Sequence, residues 1–493
     1  MRQGAVAGTN GRGLARGLRR AALLAAAFSL AGCQTVDSIL APFGVSGPPA
    51  GSPGFVRGFL GGVAAEDPAA ALAARSVLSA GGTAVDAAVA AGFTMAVTLP
   101  SRVGLGGGGA CLVFDPAKGA TEAVLFLPGA RSGVPAGADR PAAVPMLARG
   151  LFALHTRKPG RPFEELMAPA EQLARFGTEV SRGLAADLAA VSGPLFADPG
   201  ARAVFAGPDG RPLQAGQRLL QPELAGTLGQ LRIAGVGDLH QGALARRLAE
   251  VSRFAGGNLT FEELRASLPS VTQPLILPAR GGDQIAFLPP PADGGLAAAA
   301  GFTALQAGLG LEEAAARGLA AVGAWRERGG DPRAYLTAEN LPQGGGLGPL
   351  PASAGLTVFD RTGTAVSCAF TLDNLFGTGR MAPGMGFLLG AAPGIGGVQP
   401  PLLSAAIAFN PNIRAFRLAV ASSGQQTAPI STAGPAALHL LRNLAPAEAL
   451  EQGRPEPGRT QMGVCLNYLP GYPDRCSALT DPRGTGVALG AVD

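Results

Sequence analysis

Residues 84–99 read AVDAAVAAGFTMAVTL, a helical stretch with almost no polar face. A helix that is apolar nearly all round has to be buried. At about 16 residues, with Asp86 near its start, it is too short and too charged at one end to cross a bilayer. The chain must therefore enclose it in a large core. With 493 residues, 47% of them hydrophobic, it has the material to do so. Just upstream, Asp67-Pro68 reads as an N-cap followed by proline in the first turn. The helix AAALAARSVLSA that follows should stop at Gly81-Gly82.

The N-terminus is of a different kind. Arg2, Arg12, Arg16, Arg19 and Arg20 precede the apolar run AALLAAAFSLAG, which reads as a signal for export. The run closes on LAGC, the pattern of a bacterial lipobox, with Cys33 as the lipidated first residue of the mature chain. An ordinary secretory signal followed by a chance cysteine is the alternative. Residues 1–33 are thus set apart as signal, and 34–56, rich in Pro and Gly, as a tether. Gln34 stands where an aspartate would favour inner-membrane retention, so the expected location is the outer membrane, facing the periplasm.

Lys+Arg number 39 against 34 Asp+Glu, but the arginines are scattered without a basic stripe, which excludes nucleic acid as a partner. His155, His240 and His439 lie far apart with no cysteine or carboxylate at ligand spacing. No metal site is expected, and nothing points to a cofactor. Cys465 and Cys476 flank the turn-rich CLNYLPGYPDRC and are expected to form a disulfide in an exported protein. Cys111 and Cys368, each in a strand-like apolar run, read as buried thiols.

Further along, VGLGGGGACLVFD runs four glycines into a strand without a phosphate-loop pattern, which suits close backbone packing. The stretch 163–184 reads as helix, and Thr260 with Glu263 as a capping box. PPPADGG, residues 289–295, breaks the chain before another small-residue helix, and GGGLGPLPA, residues 344–352, reads as an exposed loop. LTVFD and TAVSCAFTL, joined by Arg361-Thr362-Gly363, read as a hairpin.

Taken together, GGTAVDAAVAAGFTMAV, GLGGGGACLVFD, PPPADGGL, LTVFDRTGTAVSCAFTLDNLFGTG and TDPRGTGVALG resemble the γ-glutamyltransferase (γ-glutamyltranspeptidase) family of N-terminal-nucleophile hydrolases, in order from about Arg57 to Asp493. The resemblance implies a four-layer αββα sandwich made as one chain that cuts itself. Residues 57–352 would form the large-subunit part and 353–493 the small-subunit part, the latter short for the family. It implies an amidohydrolase or acyltransferase acting on a small acyl amide or peptide, with glutathione as the family's donor. Counted back from the hairpin, the nucleophile's place falls on Ser353. The α-amine freed by cleavage can take the hydroxyl proton, so no histidine is needed. Serine lacks the methyl group that holds a threonine rotamer, so slower attack is expected. Thr371 falls where the family orients the nucleophile, Gly424-Gln425 at the oxyanion pair, and Asp373 and Ser404 at substrate-binding positions.

The departures from the family are as specific. Leu127 stands at the arginine that grips a substrate carboxylate, and Arg131 lies four residues on, roughly 13 Å along a strand. Leu403 replaces one of two serines, Ala354 replaces a second threonine, and residues 390–396, GAAPGIG, carry no polar side chain where the family binds an amine. Three readings stay open: a self-processing amidohydrolase with an altered donor, a pseudoenzyme that keeps the fold as a binding scaffold, and a true γ-glutamyltransferase with a rebuilt pocket. Ser353 as a plain loop residue belongs to the second.

Overall fold

The computed structural model describes residues 1, 48–337, 353–468 and 472–490. Cys33, most of the tether and the GGGLGPLPA approach to Ser353 lie outside the described residues. The strands, in chain order, are β1 (Gly61–Ala65), β2 (Gly108–Asp115), β3 (Ala120–Phe126), β4 (Thr178–Glu179), β5 (Arg218–Leu219), β6 (Ser270–Thr272), β7 (Leu275–Pro278) and β8 (Gln284–Phe287). The remainder are β9 (Ser353–Asp360), β10 (Ala365–Thr371), β11 (Ser404–Asn410), β12 (Ala415–Ser423), β13 (Arg459–Cys465), β14 (Cys476–Thr480) and β15 (Val487–Leu489). One sheet runs β15-β1-β9-β10-β2-β3-β6, the second β14-β13-β12-β11-β8-β7, and β4 with β5 forms a small ribbon. Val487–Leu489, from the TDPRGTGVALG segment, closes the first sheet against β1.

Alternation along the strands builds the layers. Ala110, Leu112 and Phe114 of β2 meet Ala405, Ile407 and Phe409 of β11 in a core between the sheets. Cys111 and Val113 turn the other way, towards helices on the outer face of the first sheet, as Ala406 and Ala408 do for the second. Phe114 stacks on Phe409 at 5.1 Å and Phe359 on Phe416 at 5.4 Å, joining the two sheets. The result is helix, sheet, sheet, helix, the expected αββα sandwich.

The apolar helix spans Ala84–Thr98, and all its residues are buried. Thr83 caps it with Asp86 in a capping box. The helix Pro68–Ser79 before it starts at an Asp67 cap, as the sequence suggests. On the outer face of the second sheet, the small-residue helix Gly294–Gln306 is buried except at Thr303 and Gln306.

Two expectations need correction. Residues 163–184 are not one helix: Phe163–Phe176 ends at Gly177, whose φ of 92° breaks the spiral, and a second helix, Arg182–Leu195, starts at a Ser181 cap. Cys111 and Cys368 are not free thiols but a disulfide, with Cα atoms 4.1 Å apart. The antiparallel register of β2 and β10 sets them directly opposite each other on the helix-facing side. Cys465 and Cys476 are likewise opposite each other on β13 and β14 and joined.

Candidate active site

The first sheet assembles one end of the site by register alone. Ser353 opens β9 opposite Thr371, the last residue of β10, and Thr371 lies opposite Gly108 of β2. At Gly108 a Cβ would come within 2.1 Å of the Phe126 carbonyl oxygen, so only glycine lets β2 lie this close to the end of β3. Leu127 follows directly. Three strand spacings separate it from Ser353, roughly 14 Å.

Beyond Thr371 the chain turns sharply. The Asp373 amide donates to Thr371 Oγ1 at 2.8 Å, and Asp373 holds a φ of 67°, a left-handed conformation that aspartate tolerates better than most residues. Asp373 is 4% exposed and lines a cavity of about 550 Å³. Burial pushes this carboxyl well above the usual carboxylate range.

The second sheet brings the complementary group. At Gly355 a Cβ would lie 3.1 Å from the Ala421 carbonyl oxygen, so glycine allows β9 to approach β12 closely. Strand β12 ends at Ser423 and turns through Gly424, whose φ is 118°, and Gln425 into the helix Ala428–Arg442. Gln425 lines the same cavity. Backbone N–H groups at this turn, at the positive end of a long helix, suit a developing oxyanion.

Asp373 and Gln425 therefore line one cavity, Thr371 adjoins it through its bond to the Asp373 amide, Ser353 lies opposite Thr371, and Gly424 precedes Gln425. Ser353, Thr371 and Gly424 are not themselves lining residues. Ser404 does not line the cavity. It opens β11 opposite Ser422, and its buried Oγ has no partner among the described residues. Leu403 belongs to the core between the sheets, and Leu127 is partly buried against it. Ala391, Ile395 and Gly396 of the GAAPGIG segment do line the cavity, as apolar wall. Arg131 cannot stand in for the missing cation. Its guanidinium donates to the carbonyls of Ala142, Gly257 and Asn258 and to Glu263, four bonds that commit it to holding loops together.

One cluster escaped the sequence reading. Glu66 follows β1 directly and is buried. Its Oε1 accepts from Ser423 Oγ and its Oε2 from the Gly355 amide, so one carboxyl holds the start of β9 and the end of β12. Arg102 lies 3.7 Å from Glu66 and is clamped by Asp187 at 2.7 and 2.8 Å, while Ser101 also donates to Asp187. Burial raises the Glu66 pKa, opposed by Arg102, Ser423 and the Gly355 amide. For Arg102, burial disfavours the charge, but Asp187 and Glu66 outweigh it, and the pKa is raised. Asp187 sits on the helix Arg182–Leu195, which also lends Val191 and Leu195 to the cavity wall. The available signal was a charge inside each apolar run, GGVAAE and PSRVGLGGGG.

Two stacked antiparallel sheets between helices are the layered fold of the N-terminal-nucleophile hydrolases. The profile of the family described as Gamma-glutamyltranspeptidase matches residues 70–317. The chain belongs to the γ-glutamyltranspeptidase family. It is 30% identical over 425 residues to the glutathione hydrolase proenzyme of Escherichia coli (strain K12), covering 73% of this chain and 72% of that one. To the acylase ACY 1 proenzyme of Pseudomonas sp. (strain SE83) it is 32% identical over 263 residues, about half of each chain (48% and 46%). The fold is similar to that of cephalosporin acylase from Bacillus halodurans, with a TM-score of 0.69 at 19% identity, covering 88% of this chain and 96% of the other.

Proposed function

We propose that the chain is a self-processing amidohydrolase or acyltransferase of the cell envelope with Ser353 as its nucleophile. The observation that carries this reading is the register pairing of Ser353 with Thr371 beside a cavity lined by Asp373 and Gln425. In processing, Ser353 Oγ attacks the Ala352 carbonyl carbon, the C–N bond breaks as the acyl group shifts to oxygen, and water hydrolyses the resulting ester. Ser353 is left with a free α-amine. In turnover that amine takes the Oγ proton as Oγ attacks the donor's acyl carbon. Backbone N–H groups of Gly424 and Gln425 stabilise the tetrahedral oxyanion, and the leaving amine departs with the proton. Water, or an acceptor amine, then releases the acyl group from the serine ester.

A pseudoenzyme is the second reading, favoured by Leu127 and the apolar wall at Ala391 and Ile395, where the family's donor-binding groups would stand. Reducing, denaturing electrophoresis separates the two. Two fragments meeting at residue 353, with the cut abolished by Ser353→Ala, support the enzyme. One intact chain after long incubation supports the scaffold. Anchoring through Cys33 in the outer membrane completes the proposal, and Cys33→Ala should move the protein out of the membrane fraction.

A further inference from the structure

The cavity lined by Asp373 and Gln425 continues beyond its own walls. Arg140, Pro194 and Gly379 of its lining also line a polar recess of about 300 Å³. Asp198, Pro199 and Phe254 of that recess line a further pocket of about 510 Å³. Three hollows joined by shared wall residues make one groove. In the far pocket Phe254 and Leu220 are 80% and 45% exposed, and the buried Leu224 and Met381 also belong to its lining. Large apolar side chains left in water beside a hollow gain most from an apolar group that covers them.

The recess between the two is polar, and its charges are unevenly used. Arg380 is paired with Asp139 at 2.6 Å. Arg140 donates to one group among the described residues, the Thr378 carbonyl at 2.8 Å. Asp198 accepts from the amides of Ala201 at 2.7 Å and Met381 at 3.4 Å, and pairs with no cation among the described residues. Arg140 and Asp198 both line the recess without bonding to each other. A free anion or cation there is attracted by one of them and repelled by the other. A secondary amide is neutral and suits both, its carbonyl accepting from Arg140 and its N–H donating to Asp198. A recess of that volume is roughly 8 Å across if compact, the reach of about two residues of extended chain. We propose that the groove binds a peptide-like acyl group, with its reacting end in the first cavity, an amide between Arg140 and Asp198, and an apolar end group against Phe254 and Leu220. Ala391 and Ile395, at the family's donor-binding positions, line the first cavity, so the acyl side of the substrate is the one that extends from it. The inference rests on the active-site reading above for its link to catalysis, but the binding it describes does not depend on Ser353.

Four p-nitroanilides given to wild-type protein separate the alternatives: those of N-acetyl-phenylalanyl-triglycine, N-acetyl-seryl-triglycine, N-acetylglycine and N-succinylglycine. They carry an apolar end, a polar end, no end group, and a carboxylate at the depth of the recess. The expected result is a kcat/KM at least about tenfold higher for the phenylalanyl peptide than for each of the other three, from the burial of one aromatic side chain. Phe254→Ser, at an exposed position, should close the gap to the seryl peptide. Arg140→Ala should slow both long peptides more than acetylglycine. Equal rates for all four, succinylglycine ahead of the phenylalanyl peptide, or a gap that survives Phe254→Ser would overturn the proposal and leave the nucleophile standing. If no nitroaniline appears, calorimetric titration of the same acyl groups as plain amides carries the test. The phenylalanyl peptide binding tightest, with its advantage lost in Phe254→Ser, counts against Ser353 as nucleophile and leaves the groove standing. Equal binding by the four, or none, overturns the groove.

Discussion

Glu66 is tied at both oxygens, one to Ser423 beside the Gly424-Gln425 turn and one to the amide two residues past Ser353. Removing it frees two strand ends that must stay in register for attack. A hydrogen bond to a charged group contributes about 1.5–3 kcal/mol, and if that is felt mainly in the transition state the rate falls roughly 10- to 100-fold. Glu66→Ala is therefore expected to lower kcat and the self-cleavage rate by that factor with KM little changed, and Glu66→Gln, which keeps an acceptor for Ser423, to recover most of the loss. A lower Tm with kcat intact would instead make Glu66 a structural residue alone. Ser353, Thr371 and Gly424 could be placed from sequence because short, patterned segments carry them. Glu66 could not, since its partners lie 289 and 357 residues away and nothing local reports the contact. Arg131 was legible as too distant to replace the missing arginine, but its actual work, bonding three carbonyls and Glu263, exists only in the folded chain.

At the scale of elements, the helix Ala84–Thr98 was legible because its composition leaves no face for water, and the β9–β10 hairpin because its alternation and turn agree. The break at Gly177 was missed because helical spacing resumes after four residues, and the Cys111–Cys368 pair because register between distant strands leaves no trace in spacing. The helical layer also carries a pH response. His240 is fully buried, with Nδ1 on the Leu264 carbonyl at 3.0 Å, and burial, with Arg149 adding to it, lowers its pKa to about 4. Its unfolded value is near 6.5, so between those two pH values the unfolded chain binds more protons. The stabilisation from a neutral His240 is full above pH 6.5 and is lost as pH falls towards 4, by up to about 3 kcal/mol. His155 works in the opposite sense. Asp86 raises its pKa, so its contribution is full below 6.5 and fades as pH rises through the folded value. Urea midpoints from pH 7 to 4.5 should fall for the wild type and fall less steeply for His240→Gln. Equal slopes would remove His240 from the account.

At the scale of the molecule, the disulfide Cys111–Cys368 crosses the proposed cut, with one cysteine before residue 353 and one after it. The processed chain should thus remain a covalent pair, both halves held to whatever anchors the N-terminus. Denaturing electrophoresis without reductant should show one species at full mature mass, and with reductant two fragments. Two fragments without reductant would mean that this bond does not form. Cys465–Cys476 lies wholly on one side and does not join the pieces. The layered architecture needed only the order of elements and their alternation, whereas the state of the working molecule depends on this single long-range pairing. The central claim, that Ser353 is the nucleophile, is tested most directly by the mass of the smaller fragment. Protein quenched in acid during turnover of an acyl anilide that it consumes, then reduced, should yield a fragment that begins at Ser353 and in part carries one acyl group on that residue. A chain still intact at 352–353, or a fragment that never carries acyl while the anilide is consumed, would contradict it.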